Sequence, residues 1–107
     1  MTLQVVWSAQ ARSQLIATLT YIAKDDPPTA ALVLKRVDKS LRLLADAPDM
    51  GVPAPASGVR TYAVPKTDHS FDYRTTRRSN TQAVTPLAFE WDKKWGAVEK
   101  KIFNREF

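Results

Sequence analysis

Apolar residues recur at helical spacing in the first half of this chain and alternate along strands in the second. Leu3 to Trp7 (Leu-Gln-Val-Val-Trp) is a short branched and aromatic run that reads as a strand. Ser8 follows as a helix N-cap, because its hydroxyl can accept from an amide of the first turn. Ala11, Leu15, Leu19 and Ile22 then recur at spacings of four, four and three, flanked by Ile16 and Ala23. This predicts one apolar stripe on a helix ending near Lys24. Asp25-Asp26-Pro27 punctuates the chain, with Asp26 as the expected cap of a second helix. Pro27 has a fixed φ suited to the first helical position. Paired aspartates also occur in cation sites, but no third or fourth oxygen ligand lies nearby in sequence, which favours capping.

The second helix is expected to run to about Ala47, with Ala30, Leu34, Val37, Leu41 and Leu44 as its packing seam. Lys35, Arg36, Asp38, Lys39 and Arg42 occupy its other side. The short Asp-Asp-Pro-Pro connection makes the two helices an antiparallel hairpin. Residues 48–58 read as an irregular connector stiffened by three prolines. Val59 to Val64 then alternates as a strand, with Arg60, Tyr62 and Val64 on one face. Lys66-Thr67-Asp68 reads as a turn and Ser70 to Thr75 as a second strand, closed by a polar turn over Arg77-Arg78-Ser79-Asn80. Gln82 to Trp91 is a third strand, with Thr85, Leu87, Phe89 and Trp91 on one face. Pro86 cannot donate to a ladder, so a sheet edge or a bulge is expected there. Trp95 to Phe107 completes the pattern as a short helix, with Val98, Ile102 and Phe103 as its apolar side.

The order β-α-α-β-β-β-α describes an α+β fold: an N-terminal strand, a helical hairpin packed on a small antiparallel sheet, and a short C-terminal helix. A length of 107 residues fits a single domain spanning 1–107. Hydrophobic residues at 44% and charged residues at 25% are ordinary globular proportions. The chain has no cysteine and one histidine, which excludes a disulfide framework and a thiolate zinc site and disfavours a histidine metal cage. No apolar run approaches the roughly 20 residues of a membrane span, and no signal-peptide pattern opens the chain, so a cytoplasmic protein is expected.

The net charge is +5, and its focus is the stretch 60–78, where Arg60, Lys66, Arg74, Arg77 and Arg78 face only Asp68 and Asp72. Such a focus suits a polyanionic partner, nucleic acid or an acidic peptide, and equally a solvated edge. There is no Gly-x-Ser-x-Gly, phosphate-binding glycine loop or dinucleotide fingerprint. His69 is the default acid–base candidate, since its ordinary pKa lies near neutrality. Beside Lys66 and Arg74 it would suit phosphodiester cleavage, with the cations stabilising charge on phosphate. Trp7 reads as core, while Trp91 and Trp95 suit packing of the last helix or a partner.

Read residue by residue, the first part of the chain resembles the RelE/ParE superfamily of bacterial toxins. The matching residues are Trp7-Ser8, Ala11, Leu15-Ile16 and Tyr21-Ile22-Ala23-Lys24-Asp25-Asp26-Pro27. Ala30, Leu34, Val37, Leu41 and Leu44-Ala45-x-x-Pro48-x-x-Gly51 continue the match. Gly58-Val59-Arg60 is similar to the Gly-x-Arg that opens the strand after the hairpin, and Phe71-x-Tyr73-Arg74 to the strand that follows. The resemblance covers residues 3–75 well and the remainder in outline.

It implies the toxin half of a type II toxin–antitoxin pair, with a separate antitoxin as partner and no cofactor. Two activities occur in the superfamily: ParE-like inhibition of DNA gyrase by binding, and RelE-like cleavage of messenger RNA on the ribosome. Fold alone does not choose between them. The Asp-Asp-Pro and Leu-Ala-x-x-Pro-x-x-Gly motifs lean towards ParE, and the basic C-terminal stretch leans towards RelE. In the RelE-like case Lys93 and Lys94 stand where a catalytic arginine is kept, with His69 beside Ser70, although no tyrosine follows in the last helix. In the ParE-like case Arg60, Lys66, Arg74, Arg77 and Arg78 are the expected target- or antitoxin-binding residues. An attenuated nucleic-acid-binding relative is a third reading.

Overall fold

A computed structural model describes residues 2–78 and 81–91. The elements in order are β1 (Gln4–Val5), α1 (Ala9–Ala23), α2 (Pro27–Asp46), a single 3-10 turn (Pro48–Met50), β2 (Val52–Pro53), β3 (Arg60–Ala63), β4 (His69–Arg78) and β5 (Thr81–Trp91). The fold is α+β, as the pattern predicts. The expected C-terminal helix and residues 96–107 lie outside the described residues.

Both helix starts follow from their caps. The Ser8 hydroxyl accepts from the Ala11 amide at 3.0 Å. The Asp26 carboxylate accepts from the Thr29 amide at 3.2 Å and from the Thr29 hydroxyl at 2.6 Å, while Pro27 occupies the first turn of α2. The α1 stripe is as expected, with Ala11, Leu15 and Ile22 buried. The α2 seam differs at one position. Val33 is fully buried, whereas Leu34 is 48% exposed. The buried row is therefore Ala30, Val33, Val37, Leu41 and Leu44, which holds the 3.6-residue period as well as the Leu34 alternative.

The sheet order is β1-β5-β4-β3-β2. It is mixed rather than antiparallel, because β1 pairs in parallel with β5 through Gln4 opposite Ala83 and Val5 opposite Val84. Two further departures are local. The connector contributes a short edge strand, with Val52 opposite Thr61 and Pro53 opposite Arg60. Arg77 and Arg78 belong to β4, opposite Gln82 and Thr81, rather than to the turn.

Pro86 lies inside β5, a strand paired on both sides, and a register irregularity sits opposite it at Asp72/Tyr73. Tyr73 faces Pro86 and Asp72 faces Ala88, so Leu87 is the extra residue of a bulge. The bulge resets the alternation: Val84, Pro86 and Phe89 are buried, and the expected face of Thr85, Leu87 and Phe89 is broken. Two side chains of α1 complete the backbone there. The Ser8 hydroxyl donates to the Leu87 carbonyl at 3.1 Å, and the Gln14 amide oxygen accepts from the Phe89 N–H at 2.8 Å. These bonds replace a ladder that β1 is too short to supply.

Val33, Val37, Leu41 and Leu44 of α2 and Leu15 and Ile22 of α1 form one core with Phe71, Tyr73, Val84 and Phe89 of the sheet. Removing the Gln14 acceptor orphans a part-buried amide, a cost of about 1–2 kcal/mol. Gln14→Ala should lower the denaturant midpoint accordingly and speed hydrogen exchange at the Phe89 amide. An unchanged Phe89 exchange rate would contradict the assignment.

Candidate functional site

Strand alternation decides where each candidate side chain goes, because residues directly opposite one another share a sheet face. Along β4, His69, Phe71 and Tyr73 share the face covered by the helices, opposite Trp91, Phe89 and Pro86. Asp72 and Arg74 lie on the other face, opposite Ala88 and Thr85. The five candidate cations consequently do not form one patch.

His69 is 1% exposed. Its ring stacks on Phe89 with centroids 5.3 Å apart and planes 16° from parallel. Burial lowers its pKa from 6.5 to about 4, so the imidazole is neutral at physiological pH. Its backbone is fixed from both sides: the Thr67 hydroxyl accepts from its N–H, and its carbonyl accepts from the Val64 N–H. Arg74 lies five residues further along the strand, about 17 Å away at the usual rise, on the opposite face. The structure thus does not bring His69 and Arg74 to one phosphate. Lys93 and Lys94 lie outside the described residues.

Tyr73 is fully buried and its hydroxyl is occupied twice. It donates to the Pro48 carbonyl at 2.6 Å and accepts from the Gly51 N–H at 2.9 Å. Burial raises its pKa, opposed by the Gly51 hydrogen bond and the charge of Arg60. Arg60 serves the same corner. Its guanidinium donates to the Gly51 carbonyl at 2.7 Å and the Asp49 carbonyl at 3.3 Å, with the Asp49 carboxylate 3.8 Å away. Arg60 and Tyr73 together tie the 3-10 turn after α2 to β3 and β4.

The remaining cations point in three directions. Arg74 is exposed on the face away from the helices, among small polar neighbours: Asp72 accepts from Thr61 at 2.7 Å, and the Thr76 and Thr85 hydroxyls bond at 2.9 Å. Arg77 is exposed at the far end of the β4–β5 hairpin, where Arg78 also lies on the strand. Lys66 sits in the β3–β4 turn with φ 60°, a left-handed conformation. It comes close not to the other candidates but to Arg36 and Lys39 of α2, with which it lines a groove. Those two residues were legible only as part of a polar helix side, because pairing a helix with a distant turn leaves no local pattern. Among the described residues there is no group of three or more potential metal ligands, and no helix long and apolar enough to cross a membrane.

Solved structures share this architecture. A chain of the chromosomal ParDE toxin–antitoxin system from P. aeruginosa superposes with a TM-score of 0.70 at 17% identity, over 84% of this chain and 96% of that one. The YoeB/ParE toxin from Agrobacterium tumefaciens superposes at 0.57 with 14% identity, over 83% and 98%. The hairpin on a five-stranded mixed sheet is thus the RelE/ParE toxin fold. The family model described as ParE toxin of type II toxin-antitoxin system, parDE, matches residues 5–85, and the chain belongs to that family. A relative in Sinorhizobium fredii named "Putative toxin Y4kP" is 27% identical over 88 residues, which is 82% of this chain and 92% of that protein.

Proposed function

We propose that this type II toxin arrests growth by a ParE-like, non-catalytic action on DNA gyrase and is neutralised by a cognate antitoxin in the cytoplasm. The observation that carries the choice of mechanism is the position of His69. A general acid must reach the proton it transfers, and this imidazole is 1% exposed, stacked on Phe89 and held neutral by burial. Tyr73 cannot substitute for it, since its hydroxyl is buried and already committed to Pro48 and Gly51. What the chain offers to solvent is charge for binding: Arg74 on the open sheet face, and Arg77 and Arg78 on the hairpin beyond it. Arg60 contributes less to such a surface because its guanidinium is engaged by Asp49 and Gly51.

The test is induction of the chain alone in bacteria, following transcripts and chromosome integrity over the first minutes. Filamentation with DNA damage and stable transcripts is expected, and it should be relieved in the Arg74→Glu/Arg77→Glu variant but not in His69→Phe. Rapid transcript loss with intact chromosomes would instead favour ribosome-dependent cleavage by His69, Arg74, Lys93 and Lys94. Normal growth would favour an attenuated nucleic-acid-binding relative.

A further inference from the structure

The second half of α2 and the β3–β4 turn enclose a groove of about 310 Å³, lined by Arg36, Lys39, Ser40, Leu43, Pro65 and Lys66. Its chemistry is one-sided: three cations, no carboxylate, and two apolar side chains. Leu43 is 45% exposed, and Lys39, Pro65 and Lys66 are exposed as well. An exposed leucine beside a proline is an apolar surface that lacks a cover. Lys66 reinforces the point. It holds a left-handed φ of 60°, where glycine is the relaxed choice, in a turn pinned by Thr67, whose N–H and hydroxyl both donate to the Val64 carbonyl. The turn conformation sets its ammonium beside α2 and makes it the third cation of the groove.

We infer that this groove receives an acidic segment of the antitoxin, with one aliphatic side chain seated on Leu43 and Pro65 and flanking carboxylates over Lys39, Lys66 and Arg36. The inference rests on the antitoxin half of the proposed function and not on the gyrase half. A phosphate backbone would satisfy the cations but leave Leu43 and Pro65 uncovered, and the lining has no aromatic ring on which a base could stack. An acidic peptide with an apolar anchor covers both, and opposite charge steers its approach. The groove is also separate from Arg74, which lies on the far face of the sheet. A segment bound here neutralises the toxin by holding the antitoxin in place while another part of it covers the acting surface.

The experiment uses the full chain and three labelled probes: a short glutamate peptide carrying one leucine, the same peptide with glutamate throughout, and an oligothymidylate. The leucine peptide should bind best, with affinity falling as salt rises. Lys39→Glu with Lys66→Gly should weaken it by about tenfold or more, a change typical of losing close charge partners. Lys66→Gly removes the charge while relaxing the backbone, and Arg42→Ala, on α2 but outside the groove, controls for a general loss of positive charge. Leu43→Ser should weaken the leucine peptide and leave the all-glutamate peptide unchanged. The purified toxin–antitoxin complex should no longer take up the peptide. Preference for the oligothymidylate, or indifference to these substitutions, overturns the inference. A complex that still binds the peptide overturns it too, whereas failure to form any complex overturns the neutralisation reading on which it rests.

Discussion

Gly51→Ala is expected to destabilise the protein by about 2–4 kcal/mol, the range of overpacking plus the loss of a buried hydrogen bond. For a domain of this size that corresponds to a fall in Tm of order 10–25 °C. The backbone at Gly51 is ordinary extended structure, φ −72° and ψ 164°, so conformational freedom is not what glycine provides here. Space is. A Cβ would lie 2.6 Å from the Tyr73 hydroxyl, 2.7 Å from the Tyr73 ring and 3.0 Å from the Thr61 carbonyl. The ring cannot retreat, because Tyr73 is fully buried and its hydroxyl is held by Pro48. Tyr73→Phe alone leaves the Gly51 amide without its acceptor and should cost about 1–3 kcal/mol. The double variant should be less destabilised than the sum, since Phe removes the nearest clashing atom while the ring contact persists. Thermal and urea unfolding of the three variants measure this cycle. Strict additivity would show that the two residues do not meet as described.

The second large effect is on pH dependence. In the unfolded chain His69 takes up a proton near pH 6.5, while in the folded protein burial holds its pKa at about 4. Between those values the unfolded state binds the extra proton, so stability rises with pH across the window. The contribution is complete above pH 6.5 and is lost as pH falls towards 4, at up to about 1.4 kcal/mol per pH unit and about 3 kcal/mol in all. His69→Phe keeps a ring against Phe89 and removes the titration. Its stability should therefore fall less between pH 7 and 4.5 than that of the parent, by about 2 kcal/mol or more. Parallel curves for the two proteins would mean that the imidazole reaches water, and would restore His69 as an acid–base candidate.

Local patterns carried much of this fold. Ser8 and Asp26-Pro27 state the helix starts, and the α1 stripe at Ala11, Leu15 and Ile22 is the buried one. Where two apolar rows were available on α2, the pattern could not say whether Val33 or Leu34 would face the sheet; packing decided for Val33. The parallel pairing of β1 with β5 was invisible because it joins segments far apart in sequence. The bulge at Leu87 was announced by Pro86, but its effect on which residues point inward was not.

The site was less legible for a related reason. Clustering in sequence suggested clustering in space, yet a period of two sends Tyr73 and Arg74 to opposite faces of β4. The same period placed His69 with Phe71 and Tyr73, and that was the available sign that the histidine is core. The partnership of Lys66 with Lys39 is tertiary, and nothing local encodes it.

The pairing of Gln4 with Ala83, with the bonds from Ser8 and Gln14 to Leu87 and Phe89, has a consequence for biosynthesis. The first strand and first helix wait for the last strand before they can complete their hydrogen bonds, so a nascent chain carries α1 and α2 without the sheet they cover. Closing such a long loop is slow. The arginines of β4 are then set on a finished sheet only after β5 has been made, which leaves a growing toxin chain harmless until its synthesis is nearly over.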